Sequence, residues 1–468
     1  MELEREWELV QDQKRCLERL KWGIQQLGGK ADPVQVDRIA RLIIQTMTGP
    51  WRFFHTPEHI FEVGEAGDAV EVLAALFHDL VYVQVDQGVS VNISAYISSF
   101  VEEINGKLVI RDQTELPNDR MFEMISEIFG FSAKQVLVPT AGQNEFLSAV
   151  IAAKCLEHDL EPHVLAQIAA CIEATIPFRG PSETGQSPSD RLHERLLKIN
   201  ESFDLGWSQD ELSKVVERSV RLANRDVENF AYPSSADFLD NTWNLLPETN
   251  HDLKNANSYT VQGYRESLQK MESFMYFLKP HLVFQRFGSE PNEAAYQELI
   301  LKTGRNLDVA RLYLGSKLLS IAVIEALSLR IGRDIPLATM MGELPFREAL
   351  PQSQLENFLP NVSAMPYPPE TDLEWEVLAL LEKGRSQSSI YDIKNSPVTT
   401  FIIKSIGFDE ARHLMVQAKA FFNEKISPET FLEACDRTAV ETITNGILQV
   451  FESRKIALRG VNLGSTVG

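Results

Sequence analysis

Residues 52–60, RFFHTPEHI, and residues 68–80, DAVEVLAALFHDL, place three of the chain's nine histidines within twenty-five residues. Thr56 followed by Pro57 is an N-cap and first-turn pair, so a helix begins there, with His59 in its first turn and His55 just before the cap. The spacing predicts a second helix from Asp68, with Val72, Leu73, Leu76, Phe77 and Leu80 on its apolar side. His78 and Asp79 fall on that same helix, near its C-terminal end. An ionised carboxylate in so apolar a setting is costly unless it is paired or bound to a cation. Imidazole nitrogen with carboxylate oxygen is an ordinary ligand set for divalent zinc, iron or manganese.

Around this pair of segments the periodicity is helical nearly everywhere, which predicts an all-α fold. Residues 2–27 repeat apolar positions at three and four. Asp32, Pro33 and Val34 open a helix that runs to about Met47. Ser208-Gln-Asp-Glu211 is a capping box ahead of an amphipathic run, and Thr371-Asp-Leu-Glu374 is another, closed by Gly384. Ser427-Pro428 opens one late helix to about Phe451. KLVI at 107–110 and QVLV at 135–138 are strand signals that fit a buried helical or loop piece equally well. PFRGPSETGQSPSD at 177–190 reads as an exposed loop, and the proline-rich stretch 345–369 reads as an irregular connection. The last ten residues lack apolar pattern and read as mobile.

The chain has 468 residues, 44% hydrophobic and 24% charged, an ordinary balance for a globular protein of two or three packed units. Its net charge of −21 argues against a non-specific DNA or RNA surface and against an anionic membrane surface. A small phosphorylated substrate stays compatible, provided a metal or local basic groups offset the field. Cys16, Cys155, Cys171 and Cys435 form no CxxC pair and read as reduced thiols of a cytoplasmic protein. The N-terminal MELEREWELVQDQKRCLERL is charged throughout and does not read as a signal peptide. The most apolar run, 318–331, is interrupted by Glu325 and too short to span a bilayer. Lys317 and Glu325, eight apart, share one face of that run and read as a rim position or a buried pair.

With these residues in view, the order His…His-Asp…Asp resembles that of the HD-domain metal-dependent phosphohydrolases. Residues 52–60 look like the Arg-x-Tyr-His-Asn-x-x-His-Ile motif of one bacterial subgroup, and AALFHDLVY at 74–82 looks like its second motif. Cyclic-nucleotide phosphodiesterases have a related arrangement. IEAT at 172–175, NRDVENF at 224–230 and, more distantly, 264–310 are similar to later blocks of the subgroup. The resemblance covers roughly residues 35–315. It implies an HD-domain-like helical bundle over 31–335, with an N-terminal helix, 1–30, and, past a connection at 336–370, a C-terminal helical region, 371–455, and a tail, 456–468.

The same resemblance implies a site. His59, His78, Asp79 and Asp226 would hold one divalent transition metal (Fe, Mn, Zn, Co or Ni), with Glu228 or Asp237 as substitutes for Asp226. His55 would protonate the leaving oxygen, Asp79 would also orient the attacking water, and Arg52 would contact a phosphate oxygen. The implied activity is metal-dependent hydrolysis of a phosphate ester, a nucleotide or other small phosphorylated metabolite. Departures point to the alternative, a nucleotide-sensing or protein-interaction module with a degenerate site and a partner docked on the C-terminal helices. The subgroup's asparagine is Thr56 here. Its Asp-Asn-Glu-x-x-Ser-Ala segment is VSVNISA at 89–95, without the acids, and Asp86 lies in another register. A subgroup histidine is Phe178, and an aspartate two before Asp226 is Asn224. A second His-Asp, in EHDLEPH at 157–163, reads as an exposed turn.

Overall fold

A computed structural model describes residues 2–255, 258–343 and 354–459. The fold is all-α: among the described residues one two-stranded antiparallel hairpin, β1 (Val101–Ile104) and β2 (Lys107–Ile110), stands beside the helices. KLVI is therefore a strand, and QVLV adds a single bridge through Val136 to Val109. None of the described helices is long and apolar enough to cross a membrane.

The chain divides into two compact units, one of residues 1–231 with 279–303, the other of 232–278 with 304–468. The body expected at 31–335 thus has residues in both, and the N-terminal helix belongs to the first.

In the first unit, α1 (Glu2–Gln26), α2 (Pro33–Met47), α3 (Pro57–Gly64) and α4 (Ala69–Phe77) are followed by α5 (Arg120–Phe129), α6 (Gln143–Leu156), α7 (Pro162–Ala174), α8 (Pro188–Ser202) and α9 (Gln209–Asp226). The centre is α4. All nine of its residues are buried, as a helix apolar on every side requires, and α1, α3, α6, α7 and α9 pack around it. Its start is set by a capping box in which Asp68 accepts from the Val70 and Glu71 N–H groups while Glu71 accepts from the Asp68 N–H. Asp32 and Ser208 cap α2 and α9 as their sequences predict. Thr56 precedes α3 in extended conformation, but its side chain makes no capping bond.

The second unit holds α10 (Ser235–Trp243), α11 (Val261–Phe277), most of α12 (Glu293–Ser328), α13 (Asp372–Lys383), α14 (Pro397–Phe422), α15 (Pro428–Ala434) and α16 (Arg437–Leu458). Two expectations change here. The late helix is two helices, because the chain turns extended at Cys435. Lys317 and Glu325 are both buried but do not pair with each other: Lys317 meets Asp392 at 3.0 Å, and Glu325 meets Arg265 at 2.9 Å. Part of the proline-rich connection and most of the tail, 344–353 and 460–468, lie outside the described residues.

Candidate metal centre

Three elements of the first unit aim side chains at one point. His59 lies in the first turn of α3. The helix carrying the second motif ends at Phe77, three residues before Leu80, the last residue of its apolar pattern, so His78 is its C-cap and Asp79 stands just beyond it. Asp226 is the last residue of α9.

What brings Asp226 there is a row of arginines on α9, spaced three and four apart and so on one face. Arg218 binds Asp68 at 2.7 Å, and Arg221 and Arg225 each bind Glu71 at 3.2 Å. Arg225 Nε also donates to the Val63 carbonyl at 2.8 Å. Glu71 is 2% exposed, and these arginines pair its buried carboxylate. The residue after Arg225 is thereby held against the C-terminal end of α4.

The loop after Asp79 is gripped from both sides. Arg52, with no side-chain exposure, donates from Nε and Nη2 to Asp86 at 3.0 and 2.6 Å, from Nη1 to the Asp79 carbonyl at 2.7 Å and from Nη2 to the Leu80 carbonyl at 3.3 Å. A guanidinium so engaged works as a strut for the Asp79 main chain. From α6, Ser148 Oγ accepts from the Val81 N–H at 3.0 Å and Asn144 accepts from the Val83 N–H at 3.2 Å.

The result is a ring of alternating nitrogen and oxygen. His59 Nε2 lies 3.1 Å from Asp226 Oδ1 and 3.2 Å from Asp79 Oδ2. His78 Nε2 lies 3.2 Å from Asp226 Oδ1 and 3.0 Å from Asp79 Oδ2. One ligand atom from each of the four residues falls within 4.8 Å of all the others. A planar ring with edges near 3.1 Å has half-diagonals of about 2.2 Å, the length of a divalent metal bond to nitrogen or oxygen.

The tautomer of His78 sharpens this. Its Nδ1–H donates to the Ala75 carbonyl at 2.8 Å, so in the neutral ring Nε2 turns a lone pair toward two carboxylate oxygens. Only a proton or a cation makes that contact attractive. Metal-free, the ring draws in a proton. Burial works against a charged His59, but hydrogen bonds to Asp226 and Asp79, and their charges, push it up to about 9. The same opposition, won by the charges of Asp79 and Asp226, raises His78 well above its ordinary value. Burial pulls both aspartates upward, yet the histidines hold them below the usual carboxylate range. The donor set fits a divalent transition metal, which replaces that proton and leaves both imidazoles neutral.

His55 stands beside the ring without entering it. Its imidazole packs edge-on to Tyr82, centroids 4.4 Å apart, and lies 5.8 Å from the His59 ring, and its charge helps hold Asp79 low. Glu228 begins a short 3-10 turn past Asp226, Asp237 belongs to the second unit, and neither is in the ring. His158 of the second His-Asp is exposed in the turn between α6 and α7.

One residue of the site escaped the sequence. Glu145 lies on α6 three positions before Ser148, and so on the face that grips the Asp79 loop. Its Oε2 is buried without a hydrogen-bond partner. Burial first, with Asp79 and Asp226 adding their charge, pushes its carboxyl up to about 7. The only signal in the sequence was a lone acid opening the apolar run NEFLSAVIAA.

No family model, no curated protein and no solved structure matches the chain. The His/His/Asp/Asp cluster is compatible with an HD-type metal site.

Proposed function

We propose that the chain is a metal-dependent phosphohydrolase whose substrate is a nucleotide or another small phosphate ester. The observation that carries this reading is the alternating ring of His59, Asp79, His78 and Asp226, with the His78 lone pair turned inward by the Ala75 carbonyl. His59, His78, Asp79 and Asp226 would hold the ion, which would polarise a phosphate ester and activate a water when bound. An ion held there supplies several kcal/mol of charge stabilisation and acidifies the water.

The chain's own residues do the rest. Asp79, fixed at its main chain by Arg52, orients the water. We assign Glu145, whose carboxyl is buried without a hydrogen-bond partner, the role of taking the water's proton, which supplies from α6 an acid of the kind missing from 89–95. His55, at the edge of the ring, gives a proton to the leaving oxygen.

A second reading, a nucleotide-sensing module with slow or no turnover, is favoured by one observation. Asp86, the acid nearest the lost segment, is spent on Arg52. Elemental analysis of the purified protein beside His78→Ala, followed by phosphate release over a nucleotide panel, separates the two. One equivalent of metal lost in the variant, with metal-dependent release, supports the hydrolase. Metal and nucleotide binding without product over long incubation selects the sensor, and no metal in the wild type sinks both.

A further inference from the structure

Elsewhere in the first unit, three arginines crowd one carboxylate. α8 presents Arg191 and Arg195, four apart and so on one face. Arg179 comes from the 177–187 loop that precedes α8. Glu173, 1% exposed near the end of α7, receives Arg179 Nη1 at 2.6 Å and Nη2 at 3.2 Å, with Nη2 also on its carbonyl at 2.9 Å. Arg195 Nη2 donates to the same carboxylate. Arg191 has no carboxylate within ion-pair distance among the described residues, and Nη2 makes a 3.4 Å contact with the Gly180 carbonyl.

Three positive charges thus share one negative one. Burial and then the charges of Arg179 and Arg195 make Arg191 a poorer base than usual, and Glu173 opposes them. Asp190 accepts from the Ser187 cap and Glu194 from Gln186. The Nε groups of Arg179 and Arg195 are buried and have no hydrogen-bond partner. Clustered cations with two idle buried donors are unfavourable together and favour an anion joining them beside the half-buried Arg191. In a chain of net charge −21, such a concentration of positive charge does not follow from composition.

We propose that Arg179, Arg191 and Arg195 form a binding site for a phosphate-class oligoanion. Guanidinium groups meet phosphoryl oxygens in paired, charge-assisted hydrogen bonds, and Glu173 holds two of the three in place. Arg179 acts electrostatically on Glu145, which also senses Asp79 and Asp226, so the anion site and the candidate metal centre share a neighbour. Two sources fit this chemistry: a second phosphate of the substrate, which rests on the phosphohydrolase reading, or a separate phosphorylated effector, which does not.

The test is calorimetric titration of the full chain, freed of metal by chelation and dialysis, with inorganic tripolyphosphate at fixed ionic strength. Saturable binding is expected, weakened about tenfold or more in Arg191→Gln and unchanged in His78→Ala. Arg191→Gln leaves the Glu173 pairs intact, and an unaltered melting temperature checks that the fold is kept. The proposal is overturned if the wild type shows no saturable binding, if Arg191→Gln binds as the wild type does, or if His78→Ala abolishes binding. With metal-loaded enzyme, a raised KM at unchanged kcat in Arg191→Gln assigns the site to the substrate, and an unchanged kcat/KM assigns it to an effector. Tripolyphosphate binding is measurable even if no hydrolysis is found, so the two readings fail separately.

Discussion

Stripped of metal, the protein is expected to lose stability as the pH rises from about 6.5 toward about 9, because His59 must then give up the proton that Asp226 and Asp79 hold on it. The folded-state value lies above the ordinary one, so the fold binds the proton more tightly than the unfolded chain does. The stabilisation is fully present below about 6.5 and is lost as the pH passes through about 9. A rise of that size is worth ~3 kcal/mol at 1.36 kcal/mol per pH unit. For a unit of this length it corresponds to roughly 6–12 °C in melting temperature. The assay is thermal unfolding of chelated protein from pH 6 to 9.5, in the wild type, His59→Gln and Asp226→Asn. Self-repulsion at net charge −21 bends all three profiles alike, so the quantity read is the difference between them. With saturating manganese the trend inverts near neutrality. The imidazoles must be neutral to bind the ion, so its stabilising effect grows as the pH rises. Parallel metal-free profiles for the wild type and His59→Gln would refute the proton-holding ring, and with it the argument that a cation belongs there.

Glu145→Gln is expected to stabilise the metal-free protein by ~3 kcal/mol at pH 8 and by about 1 kcal/mol at pH 5, since burial disfavours the ionised carboxyl and its folded value of about 7 is raised. Urea titrations at the two pH values read this, and equal effects at both would rule out the buried acid. Under the hydrolase reading the same variant keeps its metal and loses turnover. Glu71→Gln is expected to cost about 3 kcal/mol, because it strips a buried carboxylate from Arg221 and Arg225. It is also expected to weaken metal binding about tenfold by freeing α9 from α4; a variant that melts early yet binds metal as before would show that Asp226 is held otherwise. Ser148→Ala leaves the Val81 N–H without its acceptor and is expected to cost about 1–3 kcal/mol in chemical denaturation. No measurable change there would mean that α6 does not set the Asp79 loop.

The helical class, the caps at Asp32, Asp68 and Ser208, and the two segments that carry His59 and His78-Asp79 were legible in residue order. Each depends on neighbours a few positions away, and periodicity and capping chemistry report such neighbours directly. Asp226 was legible through the resemblance of 224–230 to a family block, not through any pattern of its own. The end of α4 was misjudged by three residues, because Leu80 keeps the apolar spacing although the chain has already left the helix. The pairing of Arg52 with Asp86 was not legible, since nothing local tells which carboxylate thirty-four positions away an arginine will meet.

Sequence by itself determined which stretches become helices and which of them carry imidazole and carboxylate. Tertiary structure alone decided that Asp226 closes a ring with His78 across 148 positions, that the Glu145 carboxyl is buried without a hydrogen-bond partner, and that Arg179 and Arg195 share Glu173. The physical reason is that these meetings depend on which of many charged residues pair across a packed core. α9 is seated by Arg218, Arg221 and Arg225 on Asp68 and Glu71. Helical periodicity marks those residues as lying on one face but does not rank one carboxylate partner above another.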